Sequence, residues 1–106
     1  MEHTLEFLNP EWHHGENVTV RLGDKWIKKA FTGQKVVIVK TGEIKPVAEG
    51  IITEIRSCFF GSISIGELLK EHDPECRTPR GLAYAMLLAY PEFSLNSLVT
   101  VITFKI

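Results

Sequence analysis

Cysteine is scarce in this chain: Cys58 and Cys76 are the only two, and they show no Cys-x-x-Cys spacing. That excludes the disulfide framework of a small secreted domain. Long apolar runs are missing as well. Residues 81–91, an uncharged stretch late in the chain, fall well short of the roughly 20 residues a spanning helix needs. The opening MEHTLEFLNP has neither the basic nor the apolar region of a secretory signal. Positive charge is not in excess: 12 basic against 13 acidic residues give a net charge of −1, which excludes an indiscriminate nucleic-acid clamp. No G-x-S-x-G, P-loop or G-x-G-x-x-G motif occurs. The expectation is a cytoplasmic protein in a reducing setting, with no membrane partner.

What is present suits one ordinary domain over residues 1–106, with 44% hydrophobic residues to build its core. Charge is unevenly placed. Residues 1–16 carry −4, residues 17–56 carry +4, and the remainder carries −1. The central basic block could steer one phosphate or a short single strand. The plainer reading makes its lysines the wet faces of strands.

Residues 17–22 (NVTVRL) alternate Val18 and Val20 with Asn17, Thr19 and Arg21, the period of a half-buried strand. The apolar run in residues 35–40 (KVVIVK), between Gly33 and Gly42, reads as a strand buried on both faces. A long β-branched strand follows over residues 47–60, with Gly50 suggesting a bulge or bend. Ser64 and Glu67 form a capping box, which predicts a short helix from about Ile65 to His72. Thr78 then caps a second helix with Pro79 at its first position. Both faces of that helix are apolar: Leu82, Ala85, Met86, Ala89 and Tyr90 on one, Ala83, Tyr84, Leu87 and Leu88 on the other. Such a helix is expected either inside the core or under a partner chain. Pro91 ends it, and residues 97–106 (SLVTVITFKI) form a closing strand. The order predicts an α+β fold: a small, bent or barrel-like mixed sheet with two helices between the penultimate and last strands.

The most chemically varied segment is HDPECR, residues 72–77. His72, Asp73, Glu75 and Cys76 are of metal-ligating type, but neither H-E-x-x-H nor C-x-x-C spacing is present, and no metal or cofactor is expected. The segment also suits a helix–helix corner whose acids favour the positive end of the next helix. Alternatively, Glu75 is a general base or a ligand-gripping carboxylate. Trp12 and Trp26 could stack on a base or pack in the core. His13 and His14 sit in an expected loop, NPEWHHGE. Arg21 and Thr19 share one strand face and point the same way. An arginine lining a barrel needs an anionic partner, either Glu75 or Glu54 of the chain, or a ligand.

The element order, together with LLKEHDPE, the apolar helix ending in Tyr90-Pro91 and the strand VTVITFKI, resembles the ASCH domain, a PUA-like small β-barrel. The resemblance covers about residues 18–104 and is nearest to a short bacterial branch of amidohydrolases acting on N(4)-acetylcytidine. That branch carries Gly-x-Lys-Thr-x-Thr-x-Arg on its first strand. Here Arg21 stands at the arginine, Thr19 at the second threonine, Asn17 at the first, and Glu16 at the lysine. The family's catalytic glutamate falls on Glu75. A carboxylate at the lysine position would repel a developing oxyanion rather than stabilise it.

Three functions follow as expectations. The first is a PUA-like module binding a nucleoside, nucleotide or short RNA through Arg21, Thr19 and Glu75, with Trp26 and Lys25 nearby. The second is an amidohydrolase of an acylated nucleoside, with Glu75 and Thr19 catalytic. The third is a homodimeric interaction module using helix 82–90.

Overall fold

The computed structural model describes residues 2–106. Five strands, β1 (Glu2–Phe7), β2 (Glu16–Leu22), β3 (Lys35–Lys40), β4 (Ala48–Phe59) and β5 (Leu98–Lys105), form one mixed sheet in the order β1-β3-β4-β5-β2. Strand β1 runs parallel to β3, and every other pairing is antiparallel. Three helices complete the chain: α1 (Lys25–Lys29), α2 (Ile65–Leu69) and α3 (Pro79–Ala89), the last two between β4 and β5 as expected.

The sheet is not the closed barrel the sequence suggested. Among the described residues β1 and β2 share no ladder, so the sheet has two free edges. It nevertheless curls: Arg21 on β2 reaches to 5.1 Å from the centre of the Phe7 ring on β1. The seam between those two edges is where a pocket of about 410 Å³ lies.

Each sheet face carries its own core. One cluster joins Leu5, Phe7, Val36, Ile38, Ile52, Ile102 and Phe104 beneath α1. The other joins Val18, Val20, Val99 and Val101 to Leu68, Leu82, Met86 and the edge-to-face pair Phe60 and Phe93. Because both faces are covered, β2 is not half-buried as its alternation predicted: Asn17 is 0% and Thr19 3% exposed. Asn17 is tolerated because its amide donates to the carbonyls of His13 and Gly15 and accepts from the His13 N–H. It thereby clamps the irregular loop before β2.

Several local readings are corrected. Strand β1 was not foreseen, although Leu5 and Phe7 are buried while Thr4 and Glu6 are exposed. Lys25, Lys28 and Lys29 lie on the single turn of α1 rather than on a strand face. The bulge falls between Ile52 and Glu54, and Gly50 instead permits close strand approach, since a Cβ there would lie 2.8 Å from the Lys105 carbonyl oxygen. Helix α2 has its capping box, and Glu67 also pairs with Arg56, but the helix ends at Leu69 rather than His72. Helix α3 is neither enclosed nor fully apolar-buried in this chain: Tyr84, Leu87 and Leu88 are 50–66% exposed.

The start of α3 is set by contact. Thr78 caps it through the Gly81 N–H, and the helix abuts the 3-10 turn Pro74–Cys76 so closely that a Cβ at Gly81 would lie 1.9 Å from the Glu75 carbonyl oxygen. Gly81→Ala is therefore expected to cost at least about 2 kcal/mol in urea denaturation. Gly61→Ala, where nothing lies within 4 Å, should change stability by no more than about 0.5 kcal/mol.

Candidate functional site

Three residues after α2 build the floor of the site. The chain leaves the helix through a last turn at Lys70 and bridges to the free edge of β2 around Glu71: the Val18 N–H donates to the Lys70 carbonyl (2.7 Å), and the His72 N–H donates to the Val18 carbonyl (2.9 Å). Lys70 turns outward and pairs with Glu16 at 2.8 Å. Glu71 turns inward and is 2% exposed. Arg77 holds this backbone by donating through Nε to the Glu71 carbonyl at 3.0 Å.

The pocket above this floor measures about 410 Å³ and opens at the seam between β1 and β2. Phe7, Leu82, Met86 and Ala89 form its apolar wall, and Thr19, Arg21, Glu71, His72 and Tyr90 supply its polar groups. Arg21 Nε donates to Thr19 Oγ1 at 3.3 Å. Among the described residues no carboxylate oxygen lies within 4.0 Å of an Arg21 nitrogen, so neither the Glu75 nor the Glu54 pairing is formed. Burial pushes the guanidinium's pKa down, and Tyr90, Glu71 and Glu6 oppose that.

His72 lies beside Glu71. Its Nδ1 donates to the Glu11 carbonyl at 2.8 Å, its Nε2 is 3.1 Å from Glu71 Oε1, and its ring stacks on Phe7 with centroids 4.1 Å apart. Glu71 Oε1 also accepts the Asp73 N–H at 3.2 Å. Burial raises the Glu71 carboxyl to about 8, chiefly by desolvation, while burial lowers His72 to about 4. Cys76 lines the same pocket, but burial pushes its thiol up to about 12, so it serves as apolar wall rather than nucleophile.

Of the residues singled out in the sequence, the fold brings Thr19 and Arg21 together. Glu75 is exposed on the 3-10 turn and is not among the pocket lining. Trp26 packs edge-on against His3 and under Lys29, and Lys25 lies with it on α1, outside the pocket. Trp12 sits in the loop before β2, 36% exposed. Glu16 lines a separate, polar pocket with Thr53 and Lys70. The pocket carboxyl is Glu71, which the sequence reading had placed on a helix. The signal available for it was its position between a helix-ending lysine and His72-Asp73-Pro74, where the residue before proline resists helix.

The two shifted groups act on stability in opposite directions. Glu71 has its folded pKa above the ordinary 4.5, so its contribution is complete below pH 4.5 and lost as pH rises toward 8. His72 has its folded pKa below 6.5, so its contribution is complete above pH 6.5 and lost as pH falls toward 4. Between 4.5 and 6.5 the two slopes cancel. From pH 6.5 to 8 Glu71 acts alone, and urea denaturation should show a loss of about 2 kcal/mol. Glu71→Gln should abolish that slope.

No protein-family model matches the chain, and no curated protein matches it in sequence. Solved structures do. A crystal structure of an ASCH domain from Lactobacillus crispatus is similar with a TM-score of 0.61 at 14% identity, over 98% of this chain and 78% of that one. Protein EF3133 from Enterococcus faecalis is similar with a TM-score of 0.58 at 15% identity, over 87% of this chain and 61% of that one. With its mixed five-stranded sheet and its helices between β4 and β5, the chain has the fold of the ASCH domain.

Proposed function

We propose that this chain is a binding module for a nucleoside, nucleotide or short RNA end, held in the pocket at the seam between β1 and β2. The observation that carries the reading is Arg21: a partly buried arginine, its charge desolvated beside an apolar wall, with no carboxylate of the described residues within 4.0 Å. Such a charge gains most from a ligand phosphate or carbonyl. A base fits the same pocket, since ligand sites combine an apolar lining with a few fixed polar groups. No lysine is among the lining residues, which favours a nucleoside or a short end over a long phosphate backbone.

Hydrolysis of an acylated nucleoside has less support. Glu75 stands outside the pocket, and Glu16 is held by Lys70 in a different one.

Thermal shift with a panel of nucleosides, nucleotides and short RNAs tests the binding reading. A ligand at a hundred times its Kd adds about 2.7 kcal/mol, which raises Tm by about 10 °C in a chain of this size. Arg21→Gln should remove the shift while leaving a cooperative melt. A shift that survives in Arg21→Gln, or no shift from any member, rejects the reading.

The exposed face of α3 supports a second, compatible reading: a homodimer in which Tyr84, Leu87 and Leu88 meet their copies. Sedimentation at high concentration should then give a dimer that Leu87→Asp splits. A monomeric wild-type chain removes this reading.

A further inference from the structure

Hydrogen-bond geometry restricts the protons at the pocket floor. The Glu11 carbonyl can only accept, so His72 Nδ1 at 2.8 Å carries a hydrogen. His72 Nε2 then faces Glu71 Oε1 at 3.1 Å, and two lone-pair atoms at that distance need one proton between them. Whether that proton sits on oxygen or nitrogen, the pair is neutral overall. In both arrangements Oε1 is engaged, by His72 and by the Asp73 N–H. In both arrangements, therefore, Oε2 has no proton and acts as an acceptor. It makes no hydrogen bond among the described residues, and Glu71 lines the pocket.

Arg21, also in the lining, offers the complement. Of the five N–H donors of a guanidinium, Thr19 takes Nε, leaving Arg21 donors over. Around the pair stand Arg21 from β2, Glu6 from β1, Asp73 and Arg77 from the turn, Cys76, and Tyr90 at the end of α3.

We infer that Glu71, held by His72, is the specificity-determining residue of this pocket, accepting through Oε2 from a ligand N–H while Arg21 donates to a neighbouring carbonyl or ring nitrogen. This rests on the nucleoside reading above and narrows it: the recognised part is a base edge that pairs a donor with an acceptor, such as the N3–H and carbonyl of uracil or the amino group and N3 of cytosine. A ligand donor on Oε2 stabilises the carboxylate and draws the shared proton to His72, where the ring is stacked on Phe7. Recognition thus needs no proton from solvent.

Titration calorimetry with uridine, 3-methyluridine, cytidine and N4,N4-dimethylcytidine tests this. At least one parent nucleoside should bind, and its methylated form, which keeps the acceptors and loses the donor, should bind at least tenfold more weakly. Glu71→Leu should erase that ratio. Equal binding of parent and methylated forms, or binding of none of the four, overturns the inference, while the nucleoside reading stands or falls separately with the wider thermal-shift panel. Imidazole nitrogen spectra of the free protein add a check that needs no ligand. His72 should keep its hydrogen on Nδ1 and show no titration between pH 5.5 and 7.5. An Nε2–H tautomer, or an ordinary midpoint near 6.5, overturns the inference.

Discussion

A two-bond bridge decides this structure. Where α2 ends, the Lys70 carbonyl and the His72 N–H both bond to Val18, so three residues serve as a fragment of strand against the outside of β2. A free edge is covered by this, as sheets commonly require. With this bridge made, Lys70 turns toward Glu16 and Glu71 turns into the interior. A continuation of the helix would have left all three side chains on its surface.

Bringing a carboxyl inside is expensive unless its charge is removed or paired. Here both means are combined. His72 shares a proton with Glu71, the Asp73 N–H supports one oxygen, and Phe7 covers the imidazole. Neutralising the pair leaves Arg21 without a counter-charge in contact, which is what makes the seam suited to a guest. The site is polar in its atoms but close to neutral in its floor, with one cation at its side.

Elements built from local chemistry were legible in the sequence. The apolar run between Gly33 and Gly42 became β3, Ser64 and Glu67 formed their capping box, and Thr78-Pro79 opened α3. Arg21 and Thr19 could be paired from period two alone, and their strand mate Asn17 shares their face. What escaped depended on distant partners. Strand β1 pairs in parallel with residues 35–40, and nothing within EHTLEF announces that partner. Glu71 belongs by local propensity to a helix, and only bonds to Val18 pull it out. Spacing from Tyr90-Pro91 led to Glu75, four residues further along, because a count along the chain is blind to which carboxyl faces inward. The apolar character of both faces of α3 was legible, but its outer face, at Tyr84, Leu87 and Leu88, stays half or more exposed.

The placing of Phe7 and Glu6 on β1 means that one wall of the cavity belongs to an edge strand held by a single neighbour. Edge elements of this kind are the first to open in native-state fluctuations. A guest gripping Phe7 on one side and Arg21 on the other would lace the two rims together, so occupancy should slow amide exchange along residues 3–7 before it alters any other part of the molecule.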